Sequence, residues 1–186
     1  MIQDFDYING DYSQLDLKAV GTALSRVNRY GGKGLFPISV ARHLVMLGVM
    51  APGHLCLAAL IHDIPEIFTG EVPRPHKQLC PDFQALEDRI TVRLFDSFGL
   101  DPALMKELAP WDDLVAKSEM VDIFPDDPRV GGWKNELAEK CPLFDPQRDA
   151  FEEVPPAFWW TTMLENALGR SITPRSEDQA NTKNWR

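Results

Sequence analysis

Hydrophobic positions recur every three or four residues along most of the chain, and that period predicts helices. Leu17, Val20, Leu24 and Val27 share one stripe, which predicts a helix from Leu15 to Arg29. The run Gly31-Gly32-Lys33-Gly34 ends it and opens a loop. Ser39 offers an N-cap to a second helix with Val40, His43, Leu44 and Leu47 on one face, broken at Ala51-Pro52-Gly53. A third helix, from about His54 through Asp63, is apolar nearly all round, as a central buried helix would be. Pro65 has no N–H for the carbonyl of Ile61, so the chain should kink or restart there. Gly70 and Pro73-Arg74-Pro75 then enforce a loop.

Farther on, Pro81 to Phe98 reads as an amphipathic helix built on Phe83, Leu86, Ile90, Leu94 and Phe98. Asp101-Pro102 starts a short helix, and Pro110 precedes another from Trp111 to Phe124. A last helix is expected from about Pro156 to Leu168. Residues 1–13 read as an N-terminal arm, 125–156 as irregular and 170–186 as a mobile tail. No internal repeat and no sustained strand alternation occurs. The expected class is all-α, a single helical-bundle domain over residues 1–186.

With 186 residues the chain can bury a sizeable core. Its net charge of −9 argues against general binding to nucleic acid or an anionic membrane. A small phosphorylated substrate remains compatible, because a local metal and a few cations outweigh the global field. No apolar run approaches a membrane span, and no signal peptide opens the chain, so a cytoplasmic location is expected. Cys56, Cys80 and Cys141 are odd in number and far apart, which reads as reduced thiols.

The chemistry concentrates in His62-Asp63, delivered by the apolar third helix. Buried ionisable groups of this kind are costly unless they are paired or bind a metal. Joined by His43 and by Asp112, they make four candidate ligands from three helices. Two imidazoles and two carboxylates suit Zn, Co, Mn, Fe or Ni better than Ca. A metal so placed could activate a water and polarise a phosphoryl oxygen. Each residue also has a plain structural reading. His43 alone would be a hydrogen-bonded core histidine, and Asp112 the acidic first turn of a helix.

The motifs Ser39-Val40-Ala41-Arg42-His43, Leu60-Ile61-His62-Asp63-Ile64-Pro65-Glu66 and Gly70-Glu71-Val72-Pro73-Arg74-Pro75-His76-Lys77 occur in that order. Together they resemble the HD-domain phosphohydrolases, in the branch of bacterial 5′-deoxynucleotidases and phage dATP triphosphohydrolases. The resemblance covers roughly residues 15–125 and includes Phe83 to Ile90. It implies an all-α fold and one divalent metal (Zn, Co or Mn, with Mg also compatible) held by His43, His62, Asp63 and a distal Asp. The family's distal pattern is matched by Asp112, Glu119 and Asp122, with Asp112 as ligand and Asp113 one residue out of register as the alternative. Asp112 and Glu119 lie seven apart and share a helix face.

By the same resemblance Glu66 is a general acid or base beside the metal. Lys77 and Arg29 contact substrate phosphate, and Tyr30 packs against sugar or base. Glu71 stands where relatives usually have Asp, which loosens the match at that one place. His54 and His76 receive no role. The implied function is a deoxynucleoside triphosphate triphosphohydrolase, dATP first, releasing deoxynucleoside and triphosphate. A 5′-deoxynucleotidase acting on monophosphates is the close alternative, and a non-catalytic nucleotide-binding domain the alternative of another class. The partners implied are a small deoxynucleotide and further copies of the chain, in the cytoplasm of a bacterium or a phage-infected bacterium.

Overall fold

The computed structural model describes residues 2–140 and 155–169. Among them every regular element is helical, and the sole β pairing is an isolated antiparallel bridge between Asn28 and Ser39. The α-helices are α1 (Leu17–Leu24), α2 (Val40–Met50), α3 (Cys56–Ile61), α4 (Glu66–Thr69), α5 (Arg74–Lys77), α6 (Pro81–Ser97), α7 (Leu104–Ile123), α8 (Val130–Lys140) and α9 (Pro156–Ala167). No helix among the described residues is long and apolar enough to cross a membrane.

At the centre lies α2, in contact with α3, α7 and α9. It is buried on nearly every side, from Val40 and Ala41 through the run His43 to Gly48. Ser39 caps it, its hydroxyl accepting from the N–H of Arg42 at 3.2 Å. Gly48 lets the helices close up: a Cβ there would come within 2.9 Å of Leu60 Cδ2 and 3.1 Å of Met163 Cε. The core continues through Leu44, Leu47, Ala58, Leu60, Ile61, Phe95, Trp160 and Leu164. A satellite core of Leu114, Val121, Val130 and Leu137 joins α7 to α8.

Helix α3 ends where Pro65 requires it, and the carbonyls freed at its end are all used. The N–H of Ile64 turns back to Ile61 O at 2.9 Å. His62 Nδ1 lies 3.0 Å from Ala59 O, and Trp160 Nε1–H donates to Leu60 O at 2.7 Å. A helix end buried in the core keeps its polar groups paired in this way. The chain then restarts at Glu66, whose N–H reaches Asp63 O at 3.0 Å. This break turns His62, Asp63 and Glu66 out of a regular helical register.

Four sequence expectations need correction. The first helix stops at Leu24, because the chain must turn to pair Arg29 N–H with Ile38 O and Val40 N–H with Val27 O. Of the expected arm over residues 1–13, the described residues 2–13 are packed rather than loose: Phe5, Tyr7 and Tyr12 gather around Phe68, and Tyr12 is fully buried with its hydroxyl on Tyr7 O at 2.6 Å. Pro110 does not separate two helices but sits inside α7. It lies with Lys106 and Ala109 on the exposed face, where water can serve the carbonyl that loses its donor. Within 125–156, residues 130–140 form α8, through Val130, Trp133 and Leu137 at helical spacing. Residues 141–154 of that stretch, and the expected tail 170–186, lie outside the described residues.

Candidate metal centre

His43 from α2, His62 just past α3 and Asp112 from α7 each offer one ligand atom, all within 4.8 Å of one another. His43 Nε2 stands 3.1 Å from Asp112 Oδ1. Asp63 borders this group without joining it, with Oδ1 3.2 Å from His62 Nε2 and Oδ2 3.8 Å from His43 Nε2. Ligand atoms about 2.0–2.2 Å from a shared cation are about 3.0–3.5 Å apart in tetrahedral or octahedral geometry, close to the two shorter separations here. The pair Asp112/Asp113 divides cleanly. Asp113 faces outward to Lys117 at 2.7 Å and Arg74 at 3.7 Å, whereas Asp112 faces the histidines.

Both imidazoles present Nε2 because Nδ1 is taken. His62 Nδ1 meets a backbone carbonyl, which can only accept, so Nδ1 carries a proton and Nε2 is the nitrogen left to face the site. His43 Nδ1 lies 3.0 Å from Glu119 Oε1. Completely buried, His43 Nε2 makes no hydrogen bond, although Asp112 Oδ1 is near enough for one. Once His43 is neutral at Nε2, that nitrogen and the Asp112 oxygen are two acceptors in close approach, which suits a common cation between them. The donor set of two imidazoles and carboxylates therefore fits a divalent transition metal.

Electrostatics agree with this picture. Burial raises the Asp63 carboxyl pKa, but His62, His43 and Arg29 outweigh it and hold it well below the usual carboxylate range. Burial likewise opposes ionisation of Asp112, and His43 and His62 prevail to lower its pKa. For His43, burial and Arg29 act downward while the Glu119 and Asp112 carboxylates act upward and win, lifting the pKa from 6.5 to about 9. Glu66 is the exception. Burial, aided by the Asp63 charge, pushes its pKa well above the ordinary value against the pull of Arg29 and Lys77. Its Oε2 is buried without a hydrogen-bond partner, and Oε1 is 3.9 Å from Lys77 Nζ.

Around this centre stand the remaining residues that the sequence singled out. Arg29, nearly buried, puts Nε 3.0 Å from Glu119 Oε2 and Nη1 3.6 Å from Asp63 Oδ2. Tyr30 adopts a left-handed backbone, φ +57°, and its hydroxyl donates to Glu119 Oε2 at 2.7 Å. Lys77 Nζ pairs with Glu87 Oε1 at 2.6 Å. Glu71 has a buried, unpartnered Oε2, and burial raises its pKa against Arg29 and Lys77. His54 is exposed beside Glu107, at 3.4 Å.

No family model matches the chain. It is 28% identical over 123 residues to the protein YfdR of Escherichia coli (strain K12), a match covering 66% of this chain and 68% of YfdR. YfdR is described only as an uncharacterized protein, so the similarity brings a distant relative and no activity.

Two residues at the centre were given no task by the sequence. Glu119 lies at the meeting point of Arg29, Tyr30 and His43. Its seven-residue offset from Asp112 was the available signal, since it puts both carboxylates on the face of α7 that looks at α2. Arg74 reaches Asp112 Oδ2 at 3.1 Å from a largely exposed position, and nothing in the sequence pattern marked that contact.

Proposed function

We infer that the chain is a metal-dependent phosphohydrolase of the HD-domain type acting on deoxyribonucleotides, with a dNTP triphosphohydrolase reaction and dATP as first substrate. The observation that carries the reading is the coincidence of a metal-ready His-His-Asp group with Glu66, a buried carboxyl that has one oxygen unpartnered. A metal binder alone has no use for such a carboxyl; a hydrolase needs a proton acceptor or donor beside the reacting phosphorus. The choice of deoxynucleotide, and of the triphosphate, rests on the sequence motifs.

In this reading His43, His62, Asp63 and Asp112 hold the metal, which when bound supplies Lewis-acid polarisation of a phosphoryl oxygen and lowers the pKa of a water. Arg29 and Lys77 offset phosphate charge, the principal electrostatic task in phosphoryl transfer. Arg29 is held for that work by Glu119. Tyr30 walls the sugar side, its ring fixed by the hydroxyl on Glu119 and by edge contact with Phe124. Glu66 takes or gives the proton at Oε2. Water adds to the phosphorus that bears the 5′ oxygen, the P–O5′ bond breaks, and a proton reaches O5′. The products are deoxynucleoside and triphosphate. A cytoplasmic homo-oligomer without nucleic-acid or membrane partners accompanies the reading, on the strength of the resemblance and the net charge of −9.

The test is product analysis after incubating the purified protein with dATP and, separately, dAMP, with Mn, Co, Zn or Mg added. Tripolyphosphate and deoxyadenosine from dATP support the reading. Phosphate from dAMP alone assigns a 5′-deoxynucleotidase instead. Absence of turnover with every metal and substrate refutes hydrolysis and leaves a binding domain.

A further inference from the structure

Glu119 is a buried carboxylate with three clients. Oε1 meets His43 Nδ1 at 3.0 Å; Oε2 accepts from Arg29 Nε at 3.0 Å and from Tyr30 Oη at 2.7 Å. Its side chain is 6% exposed, so these partners take the place of water. None of the three contacts is local in sequence. Arg29 and Tyr30 come from the turn after α1, His43 from α2 and Glu119 from α7. One carboxylate therefore ties the residues facing the substrate to a residue facing the metal.

We propose that Glu119 is a positioning residue that dictates which nitrogen His43 offers to the metal while it anchors Arg29 and Tyr30 on the substrate side. The inference rests on the metal-centre reading above. Its logic is donor and acceptor bookkeeping. An ionised carboxylate has only acceptors, so neutral His43 must carry its proton on Nδ1 and present Nε2 toward Asp112 and Asp63. Arg29 has only donors, so an acceptor must also stand at the Oε2 position.

Glu119→Gln keeps the shape and forces a conflict. The amide oxygen must face Arg29 and Tyr30, because an NH2 there would meet the donor-only Arg29. The NH2 then faces His43 Nδ1 and requires it to accept. Neutral His43 must move its proton to Nε2, where it points at Asp112 Oδ1, 3.1 Å away, and closes the lone pair to the metal. The variant keeps its packing and hydrogen-bond count but holds the wrong tautomer. Outer-shell partners of metal histidines typically control affinity about 10–100-fold.

The experiment measures Co2+ binding by calorimetry and by the visible absorption of the bound ion, for the wild type and for E119Q, with a thermal melt of each metal-free protein. The expected result is one Co2+ per wild-type chain, about 10–100-fold weaker binding to E119Q and a cooperative melt retained. Equal affinities would overturn the role of Glu119 and leave the metal centre standing. A wild type that binds no Co2+ or Zn2+ would overturn the metal centre itself, and this inference with it. If E119Q does not fold, the wild type still decides: in the Zn2+-loaded protein, long-range 1H–15N correlations should show His43 protonated at Nδ1 and metallated at Nε2. The reverse pattern would refute the proposal.

Discussion

Trp160 reaches across the core to the point where α3 gives way, and replacing it by Phe isolates that contact. The side chain is fully buried, and Nε1–H donates to Leu60 O at 2.7 Å. In an unbroken helix the N–H of Ile64 would serve Leu60 O, but it is engaged with Ile61 O. Trp160→Phe therefore strands a buried carbonyl, at a cost of about 1–3 kcal/mol. The lost ring volume adds about 1 kcal/mol. The sum, about 2–4 kcal/mol, is a large share of the roughly 5–15 kcal/mol that holds a typical domain folded. At about 2–4 °C per kcal/mol for a chain of this size, the midpoint should fall by about 4–16 °C. Urea denaturation of the metal-free protein gives the free energy, and Leu79→Ala, at a 79% exposed position, serves as a control expected within about 0.5 kcal/mol of wild type. Because Leu60 lies two residues before His62, Co2+ affinity should weaken in the same variant. A Trp160→Phe protein within about 0.5 kcal/mol of wild type would show that Leu60 O finds another donor, and would refute the account of how α3 is ended.

Asp112→Asn should abolish tight Co2+ or Zn2+ binding, while Asp113→Asn, whose partners are Lys117 and Arg74 at the surface, should leave affinity within about twofold and stability within about 1 kcal/mol; calorimetry separates them. Metal affinity should rise with pH up to about 9, because His43 in the metal-free protein holds its proton to about that value and must lose it to coordinate. Proton release on metal addition, read at pH 7 and at pH 9.5, should be larger at the lower pH. In the metal-free protein the raised pKa of His43 contributes stability that is present in full below 6.5 and lost as pH rises through about 9. The lowered pKa values of Asp63 and Asp112 contribute stability that is present above the ordinary 3.8 and lost as pH falls through their native values. Melting midpoints of the metal-free protein across that range should therefore fall at both ends.

Much of the site was legible in the sequence because each of its parts has a local cause. Ser39 caps α2 and so sets where His43 faces; Pro65 ends the run that carries His62-Asp63; and both appear in the structure as the residue types demand. Helix α6 also follows its apolar stripe, with Ile90 and Leu94 buried. What stayed hidden depends on contacts distant in the chain. The Tyr12–Phe68 packing and the Glu119 hub join residues 56 and 76–90 positions apart, and no local period announces such pairs. Two local signals also misled. Pro110 reads as a helix boundary, yet its missing N–H falls on the wet side of α7. The stretch 125–156 reads as irregular, yet within it Gly131 and Gly132 are exposed while Val130 and Leu137 pack on α7, and Lys117 crosses to Glu136 at 2.7 Å.

The central claim is that metal held at His43, His62 and Asp112 is what makes the chain a hydrolase. The measurement that bears on it most directly is turnover of dATP and dAMP by chelated wild-type protein, by the same protein after stepwise return of Mn2+ or Co2+, and by His62→Ala. The account predicts no hydrolysis after chelation, activity that saturates at one metal per chain, and none for His62→Ala at any metal concentration. Equal turnover by wild type and His62→Ala, or full activity in excess chelator, would contradict it.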